Sequence, residues 1–184
     1  MPWIRVIDEK DANEELRAAI DAVKGSRGKL SNILAVHSLH PQAMRAHMDL
    51  YLAILFCGSK LSRAEREMIA VVVSSQDACP YCIAHHAEAL RHYWKDDDVE
   101  HLIEEGLPTS PSDRQRALCE YARKLTTCPG EMSEADVEAL RNHGLDDHEI
   151  LTTNLIVSYF NFVNRIALGL GVEFTEEEVK GYDV

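Results

Sequence analysis

Apolar and polar positions alternate along this chain with the period of a helix almost from end to end. Leu16, Ala19, Ile20 and Val23 fall on one helical face and predict an amphipathic helix from about Ala12 to Lys24, which Gly25 and Gly28 should stop. Ser31 and Asn32 can cap a short turn through Val36. Pro41 suits the first turn of a helix that carries Met44, Met48, Tyr51, Leu52 and Leu55 and stops near Gly58. Ser62-Arg63-Ala64-Glu65 has the form of a capping box, and the helix it opens should run to about Gln76. Asp77 can cap the next helix, with Pro80 in its first turn and an end near Trp94.

The same reading continues to the C-terminus. Asp96–Glu105 should be a short helix closed by Gly106, and Pro108–Pro111 a loop between helical layers. Ser112 or Asp113 opens a helix to about Thr127, Ser133 a shorter one to about Gly144, and Asp146 a long apolar one ending in Gly169-Leu170-Gly171. Val71–Val73 is the only β-branched run, and no alternating pattern bounded by hairpin turns accompanies it. The expectation is one all-α domain, with an N-terminal helical extension over about 1–30, a core over about 31–175 and an acidic tail at 176–184 that packs on a neighbour or frays.

Composition narrows what such a bundle does. A chain of 184 residues with 46% apolar residues buries roughly 70% of its unfolded surface and needs no covalent staple. Its net charge of −12 speaks against nucleic-acid and anionic-membrane partners, which need a basic face. The longest apolar stretch, Ile150–Leu170, is broken by Asn154, Ser158, Asn161, Asn164 and Arg165, so it should not span a bilayer. The N-terminus lacks an apolar targeting core, and the expected location is the cytoplasm.

The cysteines change the picture. Five are present, an odd number at scattered spacing, unlike a secreted disulfide framework. Cys57 and Cys119 fit helical patterns as small apolar residues, and Cys128 gets no role. Cys79-Pro80-Tyr81-Cys82 places two thiols within disulfide reach at a helix start, where free N–H groups favour a thiolate. His86 lies one turn beyond Cys82 and should lean back over it as a base, which favours Cys82 as the attacking thiol and Cys79 as the resolving one. Glu67 stands in an otherwise apolar run and could orient His86 if the two helices pack antiparallel. His85 points away and reads as a rim or oligomer contact. Half a zinc site, or two inert buried thiols, would show the same cysteine pair. His37, His40 and His47 lack the spacing of a metal site.

Glu67, Cys79, Cys82 and His86 match Glu-x(11)-Cys-x(2)-Cys-x(3)-His at every spacing. On this pattern, on the surrounding RAEREMIAVVVSSQDACPYCIAHH and on the closing YFNFVNRIALGLGVEF, the chain resembles the AhpD-like alkylhydroperoxidases, peroxidase-related branch, of the carboxymuconolactone decarboxylase superfamily over roughly residues 30–175. The resemblance implies an all-helical AhpD-like fold and a peroxidase acting on hydrogen peroxide or organic hydroperoxides. It implies that Cys82 is peroxidatic, that Cys79 resolves it as a disulfide, and that His86 and Glu67 relay protons. It further implies no haem, flavin or metal cofactor, a lipoyl or thioredoxin-like dithiol reductant, and a homo-oligomer (dimer, trimer or hexamer). Tyr81 departs from the best-known branch, which has a histidine there; a phenol with a pKa near 10 is a poorer proton shuttle. The alternatives are a dithiol–disulfide oxidoreductase acting on a protein partner and a redox-sensing interaction protein.

Overall fold

The computed structural model describes residues 2–56 and 58–180, so Cys57 and the last four residues of the acidic tail lie outside the described residues. Ten α-helices follow one another, with no strand among the described residues. They are α1 (Glu14–Arg27), α2 (Asn32–Ala35), α3 (Pro41–Leu55), α4 (Arg63–Gln76), α5 (Pro80–Arg91), α6 (Asp96–Glu105), α7 (Asp113–Thr127), α8 (Glu134–Asn142), α9 (Asp147–Leu170) and α10 (Glu176–Val179). No helix among the described residues is long and apolar enough to cross a membrane.

Helix α4 is the axis of the molecule. It packs against α5, α6, α7 and α9, and every residue from Arg66 to Ser74 is buried. Its stretch from Met68 to Val73 is apolar on every face and belongs inside, which is why the Val71–Val73 run is helical despite its β-branching. Capping fixes where the surrounding helices begin. Ser62, Ser112, Ser133 and Asp146 each form a capping box with the residue three positions on; the sequence predicts the box itself at Ser62 and a helix start at the others. Buried Arg66 donates from its guanidinium to the carbonyls of Ile54, Leu55 and Leu61, which satisfies the open end of α3. Arg114 on α7 binds both Glu65 and Glu149 at 2.7 Å, tying α7 to the starts of α4 and α9.

Two boundaries differ from expectation. Helix α1 passes through Gly25 to Arg27, because Gly25 is exposed and Arg27 packs its guanidinium over the rings of Tyr51 and Phe56. Asp77 does not cap α5. It closes α4, and its carboxylate accepts from Asn164 Nδ2 at 3.0 Å and pairs with Arg165. The residue at the start of α5 is Cys79 itself. At the far end of α9, Gly171 has φ +61°, and an added Cβ would run into the ring of Trp3. The Trp3 N–H donates to the Leu170 carbonyl at 2.8 Å, so the N-terminal arm is sewn to this helix end.

Candidate active site

The turn from α4 into α5 sets the two cysteines. Ala78 takes φ +51°, Cys79 N–H donates to the Ser74 carbonyl at 3.0 Å, and Pro80 occupies the first helical turn. Asn164 of α9 is wholly buried and clamps this turn through Asp77. Both cysteines are buried free thiols, 0% and 1% exposed for Cys79 and Cys82. They face different spaces. Cys82 lines a cavity of about 100 Å³, together with Glu67, His86, Arg63, Tyr159 and Phe160. Cys79 borders a separate groove with Pro80, Leu168 and Phe174.

The hydrogen bond from the Cys82 thiol holds Cys79 below the ordinary thiol range, overcoming burial, and the N–H groups of Cys82 and Tyr81 add to it. The same bond, with burial, pushes Cys82 up. Of the pair, then, Cys79 is the thiol that ionises first, and Cys82 is the one that keeps its hydrogen longer. The helix start favours Cys79 electrically, while the cavity favours Cys82 sterically.

Glu67 and His86 meet as the antiparallel packing of α4 and α5 predicts: His86 Nδ1 donates to Glu67 Oε2 at 2.7 Å. Because Nδ1 holds the hydrogen, Nε2 of a neutral His86 is the basic nitrogen. The other carboxylate oxygen, Oε1, is held by Arg63 Nη2 at 2.6 Å and Nε at 2.8 Å. Burial raises the Glu67 carboxyl, but His86 and then Arg63 outweigh it and hold the group below the usual carboxylate range. Arg63 is a residue the sequence reading assigns only to a cap. Its spacing of four from Glu67 on one helix was the available signal.

Other positions move the picture further. His85 is half-buried at the cavity wall. It stacks on Tyr81 with ring centroids 4.3 Å apart, donates from Nδ1 to the Tyr81 carbonyl at 2.7 Å, and lines the Cys82 cavity. Tyr81 Oη donates to Glu178 Oε1 at 2.6 Å and accepts from the Ile33 N–H at 3.2 Å, so the phenol ties α5 to α2 and α10. Residues 176–180 of the acidic tail therefore fold back over α5 of their own chain. His37 and His47 adjoin each other, and no group of three or more metal-ligating side chains occurs among the described residues. Cys119 is buried and its thiol is pushed up to about 12, chiefly by burial, which suits a packing role.

Residues 41–124 match the carboxymuconolactone decarboxylase family. Two solved structures share the fold over 97% of this chain and 94% of their own, each with a TM-score of 0.85. One is an uncharacterized peroxidase-related protein from Silicibacter, 29% identical. The other is an alkylhydroperoxidase AhpD core, an uncharacterized peroxidase-related protein from Ralstonia eutropha, 28% identical. Human Sestrin-2 is 24% identical over 178 residues, which are 94% of this chain and 35% of that protein. The chain thus spans about a third of the length of the sestrin relatives it matches. The family match over residues 41–124 and this structural likeness show that the chain has the AhpD-like, peroxidase-related fold of the carboxymuconolactone decarboxylase superfamily.

Proposed function

We propose that the protein is a cysteine-based peroxidase for hydrogen peroxide or organic hydroperoxides, with Cys82 as the attacking thiol. The observation that carries this reading is the cavity onto which Cys82, His86 and Glu67 converge. His86 Nε2 takes the Cys82 proton, and the resulting imidazolium is stabilised by Glu67. The thiolate attacks the terminal peroxide oxygen, the S–O bond forms and the O–O bond breaks. His86 then protonates the departing alkoxide or hydroxide. Cys79 gives up its proton as it attacks the Cys82 sulfur of the sulfenic acid; the S–S bond forms, the S–O bond breaks, and the departing hydroxide takes that proton and leaves as water, closing the Cys79–Cys82 disulfide. Access decides the order of the thiols: Cys79 borders the groove rather than the cavity, so it does not meet a peroxide there, but it is well poised to resolve.

An external dithiol, lipoyl or thioredoxin-like, returns the disulfide to thiols in this reading. A homo-oligomer is supported by Leu151, Leu155 and Phe162, which leave 57%, 39% and 48% of their surface exposed along α9. Purified protein should consume peroxide with a dithiol donor, and one equivalent of peroxide should remove the mass of two hydrogens as the disulfide closes. Cys82→Ser should abolish both, and a Cys82→Ser protein that keeps full turnover would sink the assignment. The lowered Cys79 thiol favours a second reading, a dithiol–disulfide oxidoreductase in which Cys79 attacks a partner's disulfide. Faster turnover on a disulfide substrate than on peroxide would select it.

A further inference from the structure

Tyr159, His47 and His37 form a hydrogen-bonded line that the steps above leave unused. Tyr159 Oη lies 2.7 Å from His47 Nε2, His47 Nδ1 lies 3.4 Å from His37 Nε2, and His37 Nδ1 lies 3.0 Å from the Ile33 carbonyl oxygen. Tyr159 and His47 are 5% and 6% exposed and line the cavity that holds Cys82, while half-buried His37 marks the outer end. The line comes from α3, α9 and the turn after α2, so it approaches Cys82 from elements other than those carrying Glu67 and His86.

Its hydrogens have one consistent arrangement. A carbonyl only accepts, so His37 Nδ1 bears a hydrogen. In neutral His37, Nε2 then accepts from His47 Nδ1–H, and His47 Nε2 accepts from the Tyr159 hydroxyl. Every hydrogen points the same way along the line, from Tyr159 toward the Ile33 carbonyl, and the phenol oxygen can accept one from inside the cavity. Burial and then the neighbouring His37 keep His47 neutral down to about 4. Burial first, then Tyr51 and Cys82, push the Tyr159 phenol up, so it stays a hydroxyl.

We propose that Tyr159, His47 and His37 are a second proton relay for Cys82, working beside the Glu67–His86 pair. This rests on the peroxidase reading. The Cys82 S–H bond breaks and its proton adds to Tyr159 Oη. The Tyr159 hydrogen passes to His47 Nε2, and the His47 Nδ1 hydrogen passes to His37 Nε2, leaving a His37 imidazolium and a Cys82 thiolate. The reversed line now donates from Tyr159 toward the thiolate. When the S–O bond forms and the O–O bond breaks, the alkoxide takes the Tyr159 hydrogen and the line hands back the rest. Thiol and hydroperoxide become sulfenic acid and alcohol, with no proton gained or lost. Tyr159 is the catalytic residue of the line, and His47 and His37 are positioning residues acting through it. The other charged or titratable groups facing the cavity are Arg27, Lys29, Tyr51, Arg63, Glu67, Tyr81, His85 and His86; Tyr51 also acts on Tyr159, and His40 acts on His37.

The test reads Cys82 alkylation by iodoacetamide across pH, and its oxidation by peroxide in a single turnover. It uses Cys79→Ser protein, alone and with Tyr159→Phe, His47→Gln or both. Each substitution should slow both reactions about tenfold at neutral pH and move the alkylation profile upward. The double variant should be no slower than the slower single, whereas His86→Gln should multiply with either. A melting curve checks folding, and His37→Gln at the outer end should give the same shift if an inner variant fails to fold. Profiles unmoved within about twofold, or singles that multiply in the double, overturn the relay. Altered alkylation with a Cys82 inert to peroxide in every protein would instead refute the peroxidase reading and leave the relay standing.

Discussion

Two buried polar clusters flank Cys82, and they solve the same burial problem in opposite ways. Glu67 is a full charge with no exposed surface, made tolerable by Arg63 on one oxygen and His86 on the other. Tyr159, His47 and His37 are held neutral and satisfied as a row of dipoles. The charged cluster is local: Arg63 and Glu67 share one helix face, and His86 follows on the next helix. The neutral one joins positions 112 residues apart. A charge demands a counter-charge in fixed geometry, whereas dipoles need only alignment, so the clusters should fail at different sizes and in different pH windows.

The largest effect is expected at Arg63. Arg63→Met leaves Glu67 buried with His86 as its only partner, and breaking such a pair costs about 3–5 kcal/mol. Urea unfolding at neutral pH measures it. The Glu67 carboxyl should rise toward the ordinary range, and single-turnover oxidation of Cys82 should slow as His86 loses its anchored anion. A loss under about 1 kcal/mol would mean that the charged cluster is not the more demanding one.

Acid separates the clusters next. The folded pKa of His47 is lowered from 6.5 to about 4, so between those values the unfolded chain binds a proton that the folded chain refuses. Stability from this group is therefore full above about 6.5, falls as pH drops toward 4 and then levels, a loss on the order of 3 kcal/mol. Glu67 is lowered too, but as a carboxylate its contribution is present above the unfolded carboxylate pKa and is lost only as pH falls through its lower folded value. Urea melts at neutral pH and near pH 4 should show His47→Gln flattening the upper window while leaving the lower one. Parallel curves for the variant and the parent would contradict the neutral assignment. Tyr159→Phe is expected to cost less, about 1–2 kcal/mol, because it leaves one buried His47 nitrogen without its donor and opens no cavity.

How far the sequence revealed these arrangements follows the same division. Helix starts were legible because a capping box is local chemistry: Ser62, Ser112 and Asp146 each bond a residue three positions away. The Glu67–His86 contact was legible because one tight turn makes two helices antiparallel neighbours. Arg63 was legible in principle from its spacing to Glu67. Asp77 misled because an acidic residue before a proline satisfies the rule for a helix start, yet buried Asn164 takes its carboxylate from across the molecule. Gly25 misled because an exposed glycine costs a helix only about 1 kcal/mol, which the packing of Arg27 on aromatic rings offsets. The His47–Tyr159 bond carried no local signal, since nothing within a turn of either residue points to the other.

The smallest effect should come from a third carboxylate, on the outer side of α5. Glu178 accepts from Tyr81 Oη at 2.6 Å and from the Asn32 N–H at 2.8 Å, and faces His85 Nε2 at 3.6 Å. Burial raises its carboxyl, but bonds from His85, Tyr81 and Asn32 outweigh this and hold it below the usual range. It is thus charged like Glu67 but only partly buried, which makes it the intermediate case between the two clusters. Solvent screens such a pair, so Glu178→Gln, which keeps an acceptor for Tyr81, should cost about 1 kcal/mol or less in global unfolding. The change should be local instead: amide exchange at Asn32 and Ile33 should quicken as the tail loosens from α5. A loss above about 2 kcal/mol would place Glu178 with Glu67, and would mean that charge rather than depth of burial sets the cost of breaking these clusters.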